Sequence, residues 1–252
     1  MEYGICNLAV IPLRSEPNER SEQVSQVLFG EAFEIKEYTE HWARITCLMD
    51  GYEGWIGRLQ FVPLAQMLYK QLQENSSQLT DAPITQAWKI TDNSILYLPI
   101  GSSLSFAKGS TCHIGNERFD ILGTFGKGDK LEIIAKSFLN TPYLWGGRTH
   151  FGIDCSGFTQ AVFRLKGTTL KRDASMQVTQ GKKVNSLDEV KTGDLAFFHN
   201  DAGDVTHVGI VLNNEHIIHA SGKVKIDVID EKGIYSQQLQ RHTHRLHSIR
   251  RI

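Results

Sequence analysis

Hydrophobic and polar positions trade places in short runs through the first quarter of the chain. Val24, Val27, Leu28 and Phe29, then residues 33–38, 42–45 and 54–57, are strand-like segments broken by Gly-Glu, Glu-His and Asp-Gly turns. Many short strands at close spacing predict a small barrel over residues 1–63. Leu64, Met67, Leu68 and Leu72 then fall on one side of a short helix over 64–74. Asn75-Ser-Ser-Gln-Leu-Thr-Asp-Ala-Pro83 reads as a linker, so residues 64–83 form a helical linker region. Strand patterning returns over 84–126, in residues 95–100, 104–106 and 119–122 around Gly and Asn turns.

After Gly126-Lys-Gly-Asp129 the period changes. Asp129 and Glu132 have capping-box spacing, and Leu131, Ile134, Ala135 and Phe138 make a helical stripe that Pro142 ends. Phe158, Ala161, Val162 and Leu165 mark one face of a second, amphipathic helix. Strand-like runs follow at 195–198, 207–212, 216–219 and 224–229, with a terminal run behind them. Helices first and an antiparallel sheet afterwards predict an α+β domain over 127–252.

Composition mostly excludes. With 40% hydrophobic and 22% charged residues and a net charge of −1, no basic excess points to nucleic acid and no charge run to a membrane surface. The first residues lack a basic start with a sustained apolar core, and no stretch approaches the ~20 apolar residues of a spanning helix. Cys6, Cys47, Cys112 and Cys155 are far apart and form no C-x-x-C pair, which gives little support to a zinc knuckle or a disulfide framework. A cytoplasmic protein is the simplest expectation.

The candidate chemistry centres on Cys155. A glycine-rich aromatic loop, Tyr143-Leu-Trp-Gly-Gly, leads through Phe151-Gly-Ile-Asp-Cys-Ser-Gly-Phe to a thiol in the first turn of a helix. Unpaired amides and the positive end of the helix dipole there favour thiolate, the nucleophilic form. A thiol nucleophile needs a base, and the base needs a group to orient it. His207 opens one strand and His219 ends the next, with only Asn213-Asn214-Glu215 as the turn between, so the two strands pair and bring the histidines across from each other. The other histidines, His244 among them, read as surface or hydrogen-bonded residues. Cys155, His207 and His219 are also metal-ligand types, but no local ligand pair supports a metal site.

With Lys171-Arg-Asp-Ala-Ser-Met-Gln, Lys191-Thr-Gly-Asp-Leu-Ala-Phe-Phe, Thr206-His-Val-Gly-Ile and Ile217-Ile-His-Ala-Ser-Gly added, the motifs over about 129–250 resemble the NlpC family of papain-like cysteine peptidases in order and spacing. The first half resembles bacterial SH3-like domains, and 84–126 a second, degenerate one. They are similar to those of the γ-D-glutamyl-L-diamino acid endopeptidases that recycle murein peptides. The expected architecture is α+β, a papain-like domain behind two small SH3-like barrels.

The resemblance implies Cys155 as nucleophile, His207 as base, His219 as its orienting partner and Tyr143 as support for the thiolate and oxyanion. It implies that Asp154 and Ser156, with Tyr52 and Glu16 from the first domain, hold the free amine of an N-terminal L-Ala. Arg172 matches the Arg-Asp-Ser element; Ala174 stands where relatives have Ser, and Ser175 is the candidate substitute. The expected substrate is a murein tri- or tetrapeptide, L-Ala-γ-D-Glu-diamino acid, cut by a monomer without metal or organic cofactor. The alternatives are a hydrolase of intact peptidoglycan with SH3-like wall anchors, a non-catalytic wall-peptide binder, and an acyltransferase or amidase on the same fold.

Overall fold

The computed structural model describes residues 1–74, 78–123 and 130–252. The Asn75-Ser-Ser start of the expected linker, the 126–129 boundary and Asp129 of the expected capping box lie outside the described residues. The chain divides into two units, Met1–Gly128 and Asp129–Ile252.

In the first unit, seven antiparallel strands between Glu2 and Leu64 form one sheet. The anticipated segments are there, at Gln23–Leu28, Ala32–Tyr38, Trp42–Cys47 and Glu53–Gly57. Glu2–Ile5, Val10–Arg14 and Val62–Leu64 are additional. Each holds a residue that weakens strand patterning, Gly4, Pro12 or Pro63. Ile11, Leu13, Val27, Phe33, Ile45 and Ile56 fill the core between these strands.

Of residues 64–83, those described pack within this unit. Leu64 sits in a strand, and helix α1 (Gln66–Glu74) buries Tyr69, whose ring stacks on Tyr3 at 4.0 Å, while Met67 faces out. Leu79 makes a bridge to Ser103. Residues 84–122 form a five-stranded antiparallel sheet whose core joins Ala87, Leu98 and Phe119 to Ile5 and Phe29 of the first sheet. The Phe29 and Phe119 rings meet edge to face at 5.1 Å. A sheet of roughly 40 residues buries too little apolar surface to stand alone, so it shares the core of its neighbour.

The second unit places three helices beside a barrel. Helix α2 (Leu131–Ser137) follows Lys130, whose side chain makes no capping bond, and buries Ile134 and Ala135, as the stripe required. Phe138 follows and meets Phe158 edge-on at 5.6 Å. Each fully buried phenylalanine contributes about 1.5–3 kcal/mol, which fastens α2 to helix α3 (Cys155–Arg164). α3 has the expected apolar face of Phe158, Ala161 and Val162, but its polar side is covered as well: every residue from Cys155 to Phe163 is buried. Its polar members are bonded, Thr159 Oγ1 to Gln177 and Gln160 Nε2 to the Leu170 carbonyl, which is what permits their burial. Gln177 ends the short helix α4 (Ala174–Gln177).

The expected antiparallel sheet is present and closes on itself. Strands Leu195–His199, Val205–Val211, His216–Ser221, Lys223–Asp230 and Gly233–Ser236 run in spatial order, and Arg241–Arg251 pairs with both the first and the last of them. Ala196, Phe198, Val211, Ile217, Ile229, Ile234 and Ile249 pack together in its core. No described helix is long and apolar enough to cross a membrane.

Candidate active site

Cys155 is the first residue of α3, so its own N–H has no carbonyl within the helix to bond. Two tight backbone approaches put it there. A Cβ on Gly157 would lie 2.3 Å from the Gly147 carbonyl oxygen, and one on Gly152 would lie 2.6 Å from Leu144 Cβ. The glycine-rich loop therefore folds flat against the start of the helix.

Asp154 is the N-cap. Its Oδ1 accepts from Gly157 N–H at 2.7 Å and its Oδ2 from Gly146 N–H at 2.8 Å. Arg172, 2% exposed, closes the cluster: Nη1 donates to Asp154 Oδ1 at 3.1 Å and to Ser156 Oγ at 2.7 Å, and Nη2 donates to Asp154 Oδ2. The expectation that Asp154 and Ser156 receive a substrate ammonium changes accordingly. The carboxylate already has a buried guanidinium as partner, since a carboxylate at this depth is costly unless paired. Ser175 does not enter this cluster. It is exposed on α4, whereas Gln177 is fully buried and donates to the Ser156 carbonyl at 3.1 Å.

The histidines come together by a different register than predicted. His219 pairs with Gly209, not with His207, which lies two residues along on the same face. The absent side chain at 209 leaves the space, and His207 Nε2 reaches His219 Nδ1 at 2.8 Å. A Cβ at Gly209 would meet His219 Cβ and Ile217 Cδ1 at 2.8 Å. Gly209→Ala is therefore expected to lose about 1–3 kcal/mol of stability by overpacking. It should also lower kcat by displacing His219, read from urea unfolding and from steady-state kinetics on the same sample.

Cys155 Sγ lies against the backbone N–H groups of Val208 and Ser156, which places it beside the residue after His207. Among the described residues no hydrogen bond joins the thiol to the imidazole; such contacts tighten when substrate arrives. Tyr143 completes the neighbourhood, since its phenol feels the charges of Cys155 and Asp154 and, foremost, burial, which push its pKa up. The thiol is not the thiolate that the helix start suggested. Burial, with Asp154 next, pushes Cys155 up to about 12, and burial with His219, His244 and Lys225 drives His207 well below the ordinary imidazole value. The resting pair is a neutral thiol beside a neutral base, and the proton moves as the sulfur attacks.

Asp227 carries no expectation from the sequence, and His244 is expected only as a surface or hydrogen-bonded residue; both are neighbours of the histidine pair. Asp227 Oδ2 is 3.1 Å from His219 Nε2, and the His244 ring stacks on His207 at 4.2 Å. Alternation along 224–229 could have put Asp227 and Lys225 on one face; His244 lies in a strand too polar to show a stripe. His207, His219 and His244 hold ligand atoms within 4.8 Å of one another. The His207 and His244 planes lie only 26° apart, however, so their in-plane lone pairs do not converge on one ion.

Tyr52 and Glu16 belong to the first unit. Tyr52 immediately precedes strand Glu53–Gly57 and Glu16 follows strand Val10–Arg14; the two strands pair antiparallel through Arg14 and Trp55, so both residues lie at the same end of neighbouring strands.

Comparison with known proteins supplies the family. Residues 140–243 match the NlpC/P60 family, and residues 13–58 match the bacterial dipeptidyl-peptidase SH3 domain. A γ-D-glutamyl-L-lysine dipeptidyl-peptidase of Bacillus subtilis is 30% identical over 85% of this chain and 78% of its own. Dipeptidyl-peptidase 6 of Lysinibacillus sphaericus is 29% identical over 90% and 92%. The crystal structure of an NlpC/P60 family protein from Bacillus cereus superposes with a TM-score of 0.79 over 99% of both chains, at 18% identity, a likeness of fold.

Proposed function

The chain belongs to the NlpC/P60 family and is a cysteine peptidase, and from that premise we propose that it hydrolyses the γ-D-Glu–diamino acid bond of short murein peptides that begin with a free L-Ala. The observation that carries the reading is Cys155 at the buried start of α3, beside the strand from which His207 bonds to His219. The names of the relatives supply the bond; the geometry supplies the means.

The reaction is acyl transfer. His207 takes the thiol proton as Cys155 Sγ attacks the γ-carbonyl carbon, and the same proton passes to the leaving amine of the diamino acid when the C–N bond breaks. Water then adds to the thioester, with His207 as base, and releases L-Ala-γ-D-Glu. We assign oxyanion stabilisation to the Cys155 N–H, which has no carbonyl within α3 to bond, together with the Tyr143 hydroxyl. A free L-Ala amine arises only after the peptide has been cut from the glycan, so we propose a recycling role on released peptides, in the cytoplasm.

The test compares L-Ala-γ-D-Glu-meso-diaminopimelate with its N-acetylated form, using Cys155→Ala as the blank. The free-amine peptide is expected to be cut and the acetylated one spared. Equal cutting of both, or faster cutting of polymeric wall, would transfer the assignment to a hydrolase of intact peptidoglycan.

A further inference from the structure

One acid at the site has no part in the reaction described above. Asp227 lies on strand Lys223–Asp230, with Oδ2 3.1 Å from His219 Nε2 and 3.0 Å from Lys225 Nζ. Its side chain is 11% exposed, and His219 is fully buried. We propose that Asp227 is a positioning residue that sets the tautomers of both histidines and thereby designates Nδ1 of His207 as the atom that takes the thiol proton.

Counting protons leads there. An ionised carboxylate only accepts, so the hydrogen in its contact with His219 sits on Nε2. A neutral imidazole has one N–H, which leaves His219 Nδ1 bare and able only to accept. It accepts from His207 Nε2 at 2.8 Å, so that nitrogen holds the hydrogen of His207. Nδ1 of His207 is then bare. The reverse assignment would put hydrogen on Nδ1 of His207 while Nε2 accepts from His219, leaving no bare nitrogen on His207 for the thiol proton. The stacked His244 ring restrains the His207 plane.

The premises hold at neutral pH. Burial opposes a charge on Asp227, but hydrogen bonds from His219 and Lys225 outweigh it and keep its carboxyl below the usual range. Burial lowers both His207 and His219, so both rings are neutral at rest. When His207 gains the proton, the positive charge faces His219, His244, Lys225 and, through His219, the carboxylate of Asp227, with Cys155 Sγ against the N–H of the next residue, Val208.

This deepens the reading of Cys155 and His207 as nucleophile and base, and rests on it, but the first test needs no substrate. Ring-nitrogen correlations of 15N-labelled protein at neutral pH are expected to show hydrogen on Nε2 of both His207 and His219. Hydrogen on Nδ1 of His207 overturns the proposal, whatever the substrate proves to be. An Asp227→Asn side chain can offer either oxygen or NH2, so the reversed tautomer should appear. The rate of Cys155 alkylation and kcat should then fall about 10- to 100-fold, less than the roughly 10⁴-fold seen when a carboxylate bonded directly to the base is lost. KM should stay unchanged. Loss of the carboxylate destabilises the imidazolium, so the acid limb of the kcat profile should move to lower pH. An acid limb and kcat equal to those of the unaltered protein would refute the role. If Asp227→Asn does not fold, the tautomer assignment in the unaltered protein still decides.

Discussion

Cys155→Ala is expected to lower kcat/KM by about 10⁴-fold or more while leaving the unfolding transition nearly in place. Both halves of that result matter. The sulfur is the only atom removed, and alanine is a good helix former at the first position of α3. The cap on Gly157, the Arg172 contacts and the His207–His219 bond make no use of the thiol. A cysteine present only for packing would behave the other way round, with stability falling and the rate surviving. Steady-state kinetics and thermal unfolding on one preparation separate the two.

Arg172→Met is expected to cost about 3–5 kcal/mol of stability and to silence the enzyme, because it leaves the Asp154 carboxylate buried without its cationic partner. Arg172 and Asp154 are 2% and 4% exposed, so solvent does little to offset the loss. The two activities are linked through the helix start: Asp154 holds Gly146 and Gly157, and the displaced carboxylate would carry the Cys155 turn with it. Asp154→Asn combined with Arg172→Met should recover part of the stability of Arg172→Met alone, since the uncompensated charge is gone. It should recover little activity. Urea unfolding of the two single variants and the double variant gives the coupling; strict additivity would mean that the pair does not act as a unit.

Most of the candidate site is legible in the sequence because its chemistry is local. The run from Tyr143 to Phe158 carries loop, cap, thiol and helix start, and a short turn around Asn213-Asn214-Glu215 forces two histidine-bearing strands together. What stayed hidden depends on register and closure. Diagonal packing of His207 on His219 follows from Gly209 facing His219, which alternation alone does not reveal. His244 and the barrel closure depend on Arg241–Arg251, where Arg, His, Thr and Ser occupy positions that hydrophobic residues would mark in an ordinary strand. The Asp154–Arg172 pair joins residues 18 apart, and only burial shows that the carboxylate is taken. The direction of the Cys155 shift was misread for the same reason: a helix start favours thiolate, but desolvation at full burial outweighs it.

The central claim is covalent catalysis by Cys155, and the most direct measurement is the mass of the protein during turnover of the free-amine peptide, quenched in acid. A gain of one L-Ala-γ-D-Glu acyl group, localised by proteolysis to the fragment holding Cys155 and absent in Cys155→Ala, is the predicted result. Undiminished hydrolysis by Cys155→Ala, or an adduct located on Cys6, Cys47 or Cys112, would contradict it.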